Sequence, residues 1–318
     1  MSSGSAIATG TSVWSMFISL LRRSRSTIVS SLMIASATST LPTTSPSWRW
    51  TLTITVVRTV PVFHRAAGKC SGRLRNAGLM DFYKCYRAYV RGKVESVRQG
   101  EVDVSDSERR ESRARAERYF RLALQYAVCG SEPRVVVLMG RVGSGKSTLA
   151  SALGQELGWD IFSSDQARKE LAGLPLYTRG GPAVRRRLYS KATTRKTYAA
   201  LLRNARNQVK ERRSLILDAT FSLRHYRDQL RQQLDRAGVA YCFVEAHASE
   251  KTSRKRLEAR ERKAHEVSDA RLEDFEMLNR SYEPPLELDL QHRITVGTEH
   301  SLEATVAETL KALTECKG

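Results

Sequence analysis

The sequence predicts an α/β protein, a three-layer sandwich around a parallel sheet, preceded by a helical appendage and a disordered N-terminal segment. Three observations carry this. An apolar run from Val135 to Met139 leads into a Gly-rich turn and a helix start. Further short apolar runs follow it, separated by segments of helical period. The first eighty residues differ in composition from everything after them. Strands that alternate with helices favour parallel pairing, because each crossover returns the chain to the same end of the sheet.

A length of 318 residues leaves room for about two domains, and 41% hydrophobic content supports a packed core. The expected division is 1–79, 80–130 and 131–318. Residues 1–80 hold nine Lys/Arg and no Asp or Glu, leaving +11 of the +20 net charge for the remaining chain. This distribution weakens the nucleic-acid reading that a basic chain invites. The five cysteines, Cys70, Cys85, Cys129, Cys242 and Cys316, are odd in number and include no C-x-x-C pair. Neither a disulfide framework nor a zinc site is indicated, and a reducing cytoplasm is the expected setting.

The first 60 residues contain 25 Ser/Thr, and three of the four tryptophans are Trp14, Trp48 and Trp50. The apolar stretches Val13 to Leu21 and Ile28 to Ala37 are too short for a spanning helix of about 20 residues. No membrane segment is expected. Arginines follow the first apolar run, the reverse of a secretory signal, and the Ser/Arg bias matches a transit peptide only in composition. A third reading comes from the genetic code. WRWTLTITVV, Trp48 to Val57, can be encoded by codons that, read from one base upstream, give LAMDLDHHGR, and on that compatibility residues 1 to about 75 are expected to be a frameshifted, disordered remnant.

From Asp81 the spacing of Phe82, Tyr86, Tyr89, Val90 and Val94 predicts an amphipathic helix. The Ser105 to Ser107 cluster predicts a cap for a second helix that runs to about Val128 and breaks before Gly130 and Pro133.

The Gly-rich turn is Gly140-Arg141-Val142-Gly143-Ser144-Gly145-Lys146-Ser147, which fills G-x-x-x-x-G-K-[ST] and runs on into Thr148. Glycines at these places let backbone N–H groups turn inward around phosphate oxygens, with Lys146 reaching the β/γ-phosphates and Ser147 a Mg²⁺ ion. A nucleoside triphosphate is the expected ligand. Trp159 to Asp165 reads as a second strand ending in a carboxylate that would accept the proton of a substrate hydroxyl; the alternative is that Asp165 caps a helix starting at Gln166. Arg168, one turn on, would steady an anionic group.

Residues 183–213 predict crossover helices, with Tyr198, Leu201, Leu202, Ala205 and Val209 on the apolar face. Ser214 to Thr220 gives a third strand ending at Asp218, whose carboxylate would hold the metal directly or through water. Thr220, Phe221, His225 and Arg227 are expected along the substrate rim. Residues 238–246 and 292–297 predict two more strands. Between them Arg256 and Arg260, four apart, project from one helical face; they are either a basic lid over the phosphates or a solvated face paired with Glu258 and Glu261.

The order of the P-loop, SSD-x-x-R, LILDATF, RL-x-x-R and VSDA resembles the AAA-type P-loop kinase-like, ATP-binding domain at the C-terminus of bacterial bifunctional aminoglycoside phosphotransferase-like proteins. FYKCYRAYVRGKV resembles the end of their phosphotransferase-like domain. A more distant similarity is to polynucleotide kinases and zeta-toxin-like proteins. The resemblance implies a P-loop NTPase fold, ATP and Mg²⁺ as cofactors, and phosphoryl transfer to a hydroxyl-bearing acceptor. Gly140, Gly143, Gly145, Lys146, Ser147, Thr148, Asp165, Arg168, Asp218 and the lid arginines would carry it. It does not imply antibiotic phosphorylation, since residues 1–80 contain no carboxylate. Two other functions remain open from sequence: a nucleotide-binding regulatory module that transfers nothing, and a polynucleotide 5′-hydroxyl kinase.

Overall fold

The computed structural model describes residues 73–99, 101, 103–178, 180–262, 267, 268 and 270–316. Residues 1–72, with the targeting and frameshift readings, lie outside the described residues, as do Lys263 to Glu266 and the Asp269 of VSDA. The chain forms two compact units, one ending at Gly130 and the other running on from Ser131.

The first unit is a helical hairpin of α1 (Arg73–Arg98) and α2 (Asp106–Cys129). Ser105 caps α2 as expected: its hydroxyl accepts from the Glu108 amide while the Glu108 carboxylate accepts from the Ser105 amide. Phe82, Cys85 and Ala88 of α1 are buried, as are Ala116, Phe120, Ala123 and Leu124 of α2. Gly92 allows close approach, since a Cβ there would lie 2.8 Å from the Phe120 ring.

The second unit contains β1 (Arg134–Met139), α3 (Lys146–Leu157), β2 (Asp160–Ser163), α4 (Ser164–Ala172), α5 (Pro182–Leu188), α6 (Lys191–Lys210) and β3 (Leu215–Asp218). It continues through α7 (Arg224–Arg236), β4 (Ala240–His247), α8 (Glu250–Glu261), a 3₁₀ turn (Leu272–Asp274), α9 (Phe275–Arg280), β5 (Arg293–Gly297) and α10 (Leu302–Glu315). The five strands are all parallel, in the order β2-β3-β1-β4-β5. Alternation along β1 explains the three layers. Val135, Val137 and Met139 pack with Tyr198, Leu201 and Ala205 of α6 and Leu230 and Leu234 of α7. Val136 and Leu138, fully buried in their turn, point to the opposite face, and α3 and α10 pack on one another. From β1 the chain crosses toward β2 and from β3 toward β4, so right-handed connections send the next helices to opposite faces. A crevice opens at the C-terminal ends of β1 and β3. This is the architecture of a P-loop kinase-like α/β fold.

The 183–213 region forms crossover helices as expected, two of them, because Ser190 accepts from the Thr193 amide and starts α6 afresh. Two local expectations are corrected. The strand before Asp165 ends at Ser163, whose hydroxyl accepts from the Asp165 amide at 3.3 Å. Ser163 is therefore the cap of α4, and Asp165 lies in its first turn. Cys242 of β4 and Cys316 after α10 are joined in a disulfide with Cα atoms 6.6 Å apart; a pair separated by 74 residues leaves no local spacing signal. No helix among the described residues is long and apolar enough to cross a membrane.

Candidate nucleotide and acceptor site

The loop between β1 and α3 is built on glycine backbone that other residues could not adopt. Gly140, Gly143 and Gly145 have φ of 142°, 75° and 87°. Contact reinforces this at Gly143, where a Cβ would stand 2.7 Å from the Ser253 carbonyl. Two ties fix the underside of the loop. Thr298, following β5, donates through Oγ1 to the Ser144 carbonyl at 2.6 Å. The Arg256 guanidinium donates to Thr298 Oγ1 at 2.9 Å and to the Gly143 carbonyl at 3.5 Å.

At the mouth of the crevice Arg141, Val142, Lys146, Ser147, Asp165, Arg168, Asp218 and Arg260 line one cavity of about 210 Å³. Asp218 is 5% exposed, and its Oδ1 is buried without a hydrogen-bond partner. Burial pushes the Asp218 carboxyl up from its ordinary value, against the opposing pull of Lys146, the Ser147 hydroxyl and Arg260. Burial pushes Lys146 down, while Asp218 and Asp165 act the other way. An orphaned carboxylate oxygen next to a serine hydroxyl fits a Mg²⁺ ion that takes its other ligands from phosphate and water. No group of three or more His, Cys, Asp or Glu among the described residues forms an all-protein metal cage.

Asp165 and Arg168 reach the same cavity from α4. Arg168 Nη1 donates to Asp165 Oδ1 at 2.8 Å, and its guanidinium covers the Tyr189 ring at 4.5 Å. Arg141 covers Tyr282 at 5.2 Å, and Tyr282 in turn donates to Glu245 at 2.8 Å. Arg260 lines the cavity. Arg256 does not, because its donors are committed beneath the loop. The expected shared lid face therefore separates into one arginine at the cavity and one at the loop's support.

Sequence reasoning placed Phe221 and Arg227 on the rim, and the structure buries both, at 2% and 0% exposure. Phe221 has φ of 45°. Its amide donates to Tyr198 Oη at 3.1 Å, and its carbonyl accepts from Arg227 Nη1 at 2.7 Å. Arg227 also binds Glu287 and the Glu283 and Pro284 carbonyls. The segment after Asp218 is thus held in a strained turn, with Thr220 and Ser222 on the cavity side. His225 packs beside Tyr226. Tyr189, Thr194, Tyr198, Tyr226 and Tyr282 also line the cavity, a set brought together from separate segments that share no local pattern. Tyr198 alone carried a hint, a phenol on an otherwise aliphatic helix face.

Residues 135–285 match the AAA domain family. The matched segment runs from β1 through Pro285 and so contains the P-loop, Asp165, Asp218, Arg256 and Arg260. An uncharacterized protein of Mycobacterium tuberculosis is 35% identical over 153 residues, covering 48% of this chain and 29% of that protein. The chain thus spans less than a third of the length of this relative. Among solved structures, a gluconokinase from Sinorhizobium meliloti is similar with a TM-score of 0.41 at 22% identity, covering 57% of this chain and 92% of that one. Kti12 of Chaetomium thermophilum, in complex with ADP-AlF3, gives 0.45 at 20% identity, covering 58% of this chain and all of that one.

Proposed function

We propose that this protein binds Mg-ATP in the crevice and transfers the γ-phosphoryl group to a hydroxyl of a small acceptor. The observation that carries the reading is the convergence of Lys146, Ser147, Asp218, Asp165 and Arg260 on one cavity. The glycine loop offers backbone donors to the phosphates, and Lys146 places its ammonium on the β/γ-phosphates. Ser147 and Asp218 would hold Mg²⁺, which would supply charge neutralisation of the phosphate oxygens. Asp165 Oδ1 accepts from Arg168, leaving Oδ2 to take the proton of the acceptor hydroxyl. As that oxygen bonds to the γ-phosphorus, the bond to the β-phosphate oxygen breaks and ADP leaves with the electron pair. Arg260 faces the charge that develops.

The motif order, together with the small share of the mycobacterial relative that is matched, supports reading this as the ATP-binding part of a larger bifunctional architecture. A cytoplasmic setting suits an ATP-dependent activity.

The test is calorimetric titration of the full chain with Mg-ATP, followed by transfer from γ-labelled ATP to a panel of hydroxyl acceptors. Lys146→Ala is expected to weaken Mg-ATP binding at least 100-fold, about 3 kcal/mol. Asp165→Asn is expected to keep that affinity and to lower transfer by about 10²–10⁴-fold. Normal Mg-ATP affinity without transfer to any acceptor would establish the non-catalytic module instead. Salt-sensitive transfer confined to 5′-hydroxyl oligonucleotides would establish the polynucleotide kinase.

A further inference from the structure

We infer that the acceptor side of the cavity is built for a neutral, polyhydroxylated molecule of monosaccharide or nucleoside size. This deepens the kinase reading above and rests on it. Size is the first argument. About 210 Å³ must hold both the transferring phosphoryl group and the acceptor, and sites for drug-sized ligands begin at about 300 Å³.

Charge is the second. Lys146 and Arg260 lie with Asp218 on the phosphate side and interact with it electrostatically. Among the described lining residues from α4 to the turn after β3, the cation is Arg168; its Nη1 donates to the Asp165 carboxylate and its plane covers the Tyr189 ring, while its buried Nε has no hydrogen-bond partner. The Asp165–Arg168 pair carries no net charge, so an acceptor with its own carboxylate or phosphate would meet no net positive charge on that side.

Hydrogen-bonding capacity is the third. Thr194 of α6 and Ser222 of the strained turn line the cavity. Neither hydroxyl bonds to another described residue, so each is available to both donate and accept. That two-way capacity matches sugar hydroxyls. Tyr226 lies beside them with its ring stacked on Tyr198 at 4.0 Å, a rigid apolar wall against which a pyranose or base face would pack. The Phe221 turn is what brings Ser222 there, locked at both ends by Tyr198 and Arg227.

The experiment uses the full chain saturated with Mg-AMPPNP and matched probe pairs, glucose with gluconate and uridine with uridine 5′-monophosphate, followed by saturation-transfer NMR and calorimetry. The neutral member of at least one pair is expected to bind at least tenfold more tightly than its anionic partner. Asp165→Asn is expected to bring that ratio close to one, and Thr194→Ala with Ser222→Ala to weaken the neutral probe about tenfold. Mg-AMPPNP affinity should be unchanged in the Thr194→Ala, Ser222→Ala variant. Tighter binding of the anionic member, or no binding of either member by protein that holds Mg-AMPPNP, would overturn the inference and leave the nucleotide reading standing. Failure to bind Mg-AMPPNP at all would instead overturn the kinase reading.

Discussion

The two sides of this cavity, proposed for phosphate and for acceptor, handle charge in opposite ways. On the phosphate side Asp218 and Lys146 are driven away from their ordinary pKa values by burial, and Asp218 Oδ1 lacks a partner. On the acceptor side the Arg168 charge is paired with Asp165, although its Nε lacks a partner, and the buried Arg227 behind the wall is matched to Glu287 and three carbonyls. Charge left uncompensated in a folded protein is costly and marks where a charged ligand completes the site. Charge compensated internally marks a scaffold. The same contrast separates Arg260, at the cavity, from Arg256, under the loop.

The comparison breaks most readily at Arg227. Arg227→Ala removes the partner of a buried carboxylate and should cost about 3–5 kcal/mol in urea unfolding. Arg227→Met combined with Glu287→Leu should recover part of this, because exchanging both partners for hydrophobic side chains leaves no buried charge orphaned. If either variant that remains folded lost Mg-ATP affinity as strongly as acceptor binding, the two sides would not be separately supported.

Arg256→Ala should cost less and act on the other side. Loss of its bonds to Thr298 and the Gly143 carbonyl should weaken Mg-ATP binding by about 1.5–3 kcal/mol through a loosened loop. Arg256→Lys keeps the charge but not the paired geometry and should recover little. A lid role would leave Mg-ATP affinity near normal and reduce transfer alone, so titration and turnover together decide between them.

The smallest effect expected is a gain. Asp218→Asn removes a buried carboxylate and should raise the stability of the nucleotide-free protein at pH 7 by about 1 kcal/mol, while abolishing the Mg²⁺-dependent part of nucleotide binding. The sign follows from linkage. The folded-state pKa lies above the ordinary 3.8, so the folded protein holds this proton more tightly than the unfolded chain. The stability Asp218 contributes is therefore fully present below pH 3.8 and lost as pH rises through the folded value. Unfolding curves of parent and variant should separate progressively above about pH 4; parallel curves would show that Asp218 is already compensated.

Legibility in the sequence followed the range over which each feature is specified. The glycine loop was readable in full, because its φ angles and its strand and helix flanks are set by adjoining residues. So were the five strands, the Ser105 cap and the position of Asp218 at the end of β3. Asp165 was found, but its place in the first turn of α4 was not, since Ser163 and Asp165 are both good caps and only the observed hydrogen bond separates them. Arg256 and Arg260 share a helix face by their spacing, yet Thr298, 42 residues away from Arg256, claims one of them. Arg227 looked like a polar rim residue because its acceptors come from positions 221, 283, 284 and 287.

The sequence alone determined the strand and helix alternation, the phosphate loop and the two strand-associated carboxylates, all features of local period or contiguous backbone geometry. Tertiary structure decided which arginines are buried, which tyrosines line the cavity, and that Cys242 meets Cys316. Those outcomes depend on distant groups packed within hydrogen-bond or bonding distance, and burial turns such a contact from a surface accident into a requirement that each polar group be matched.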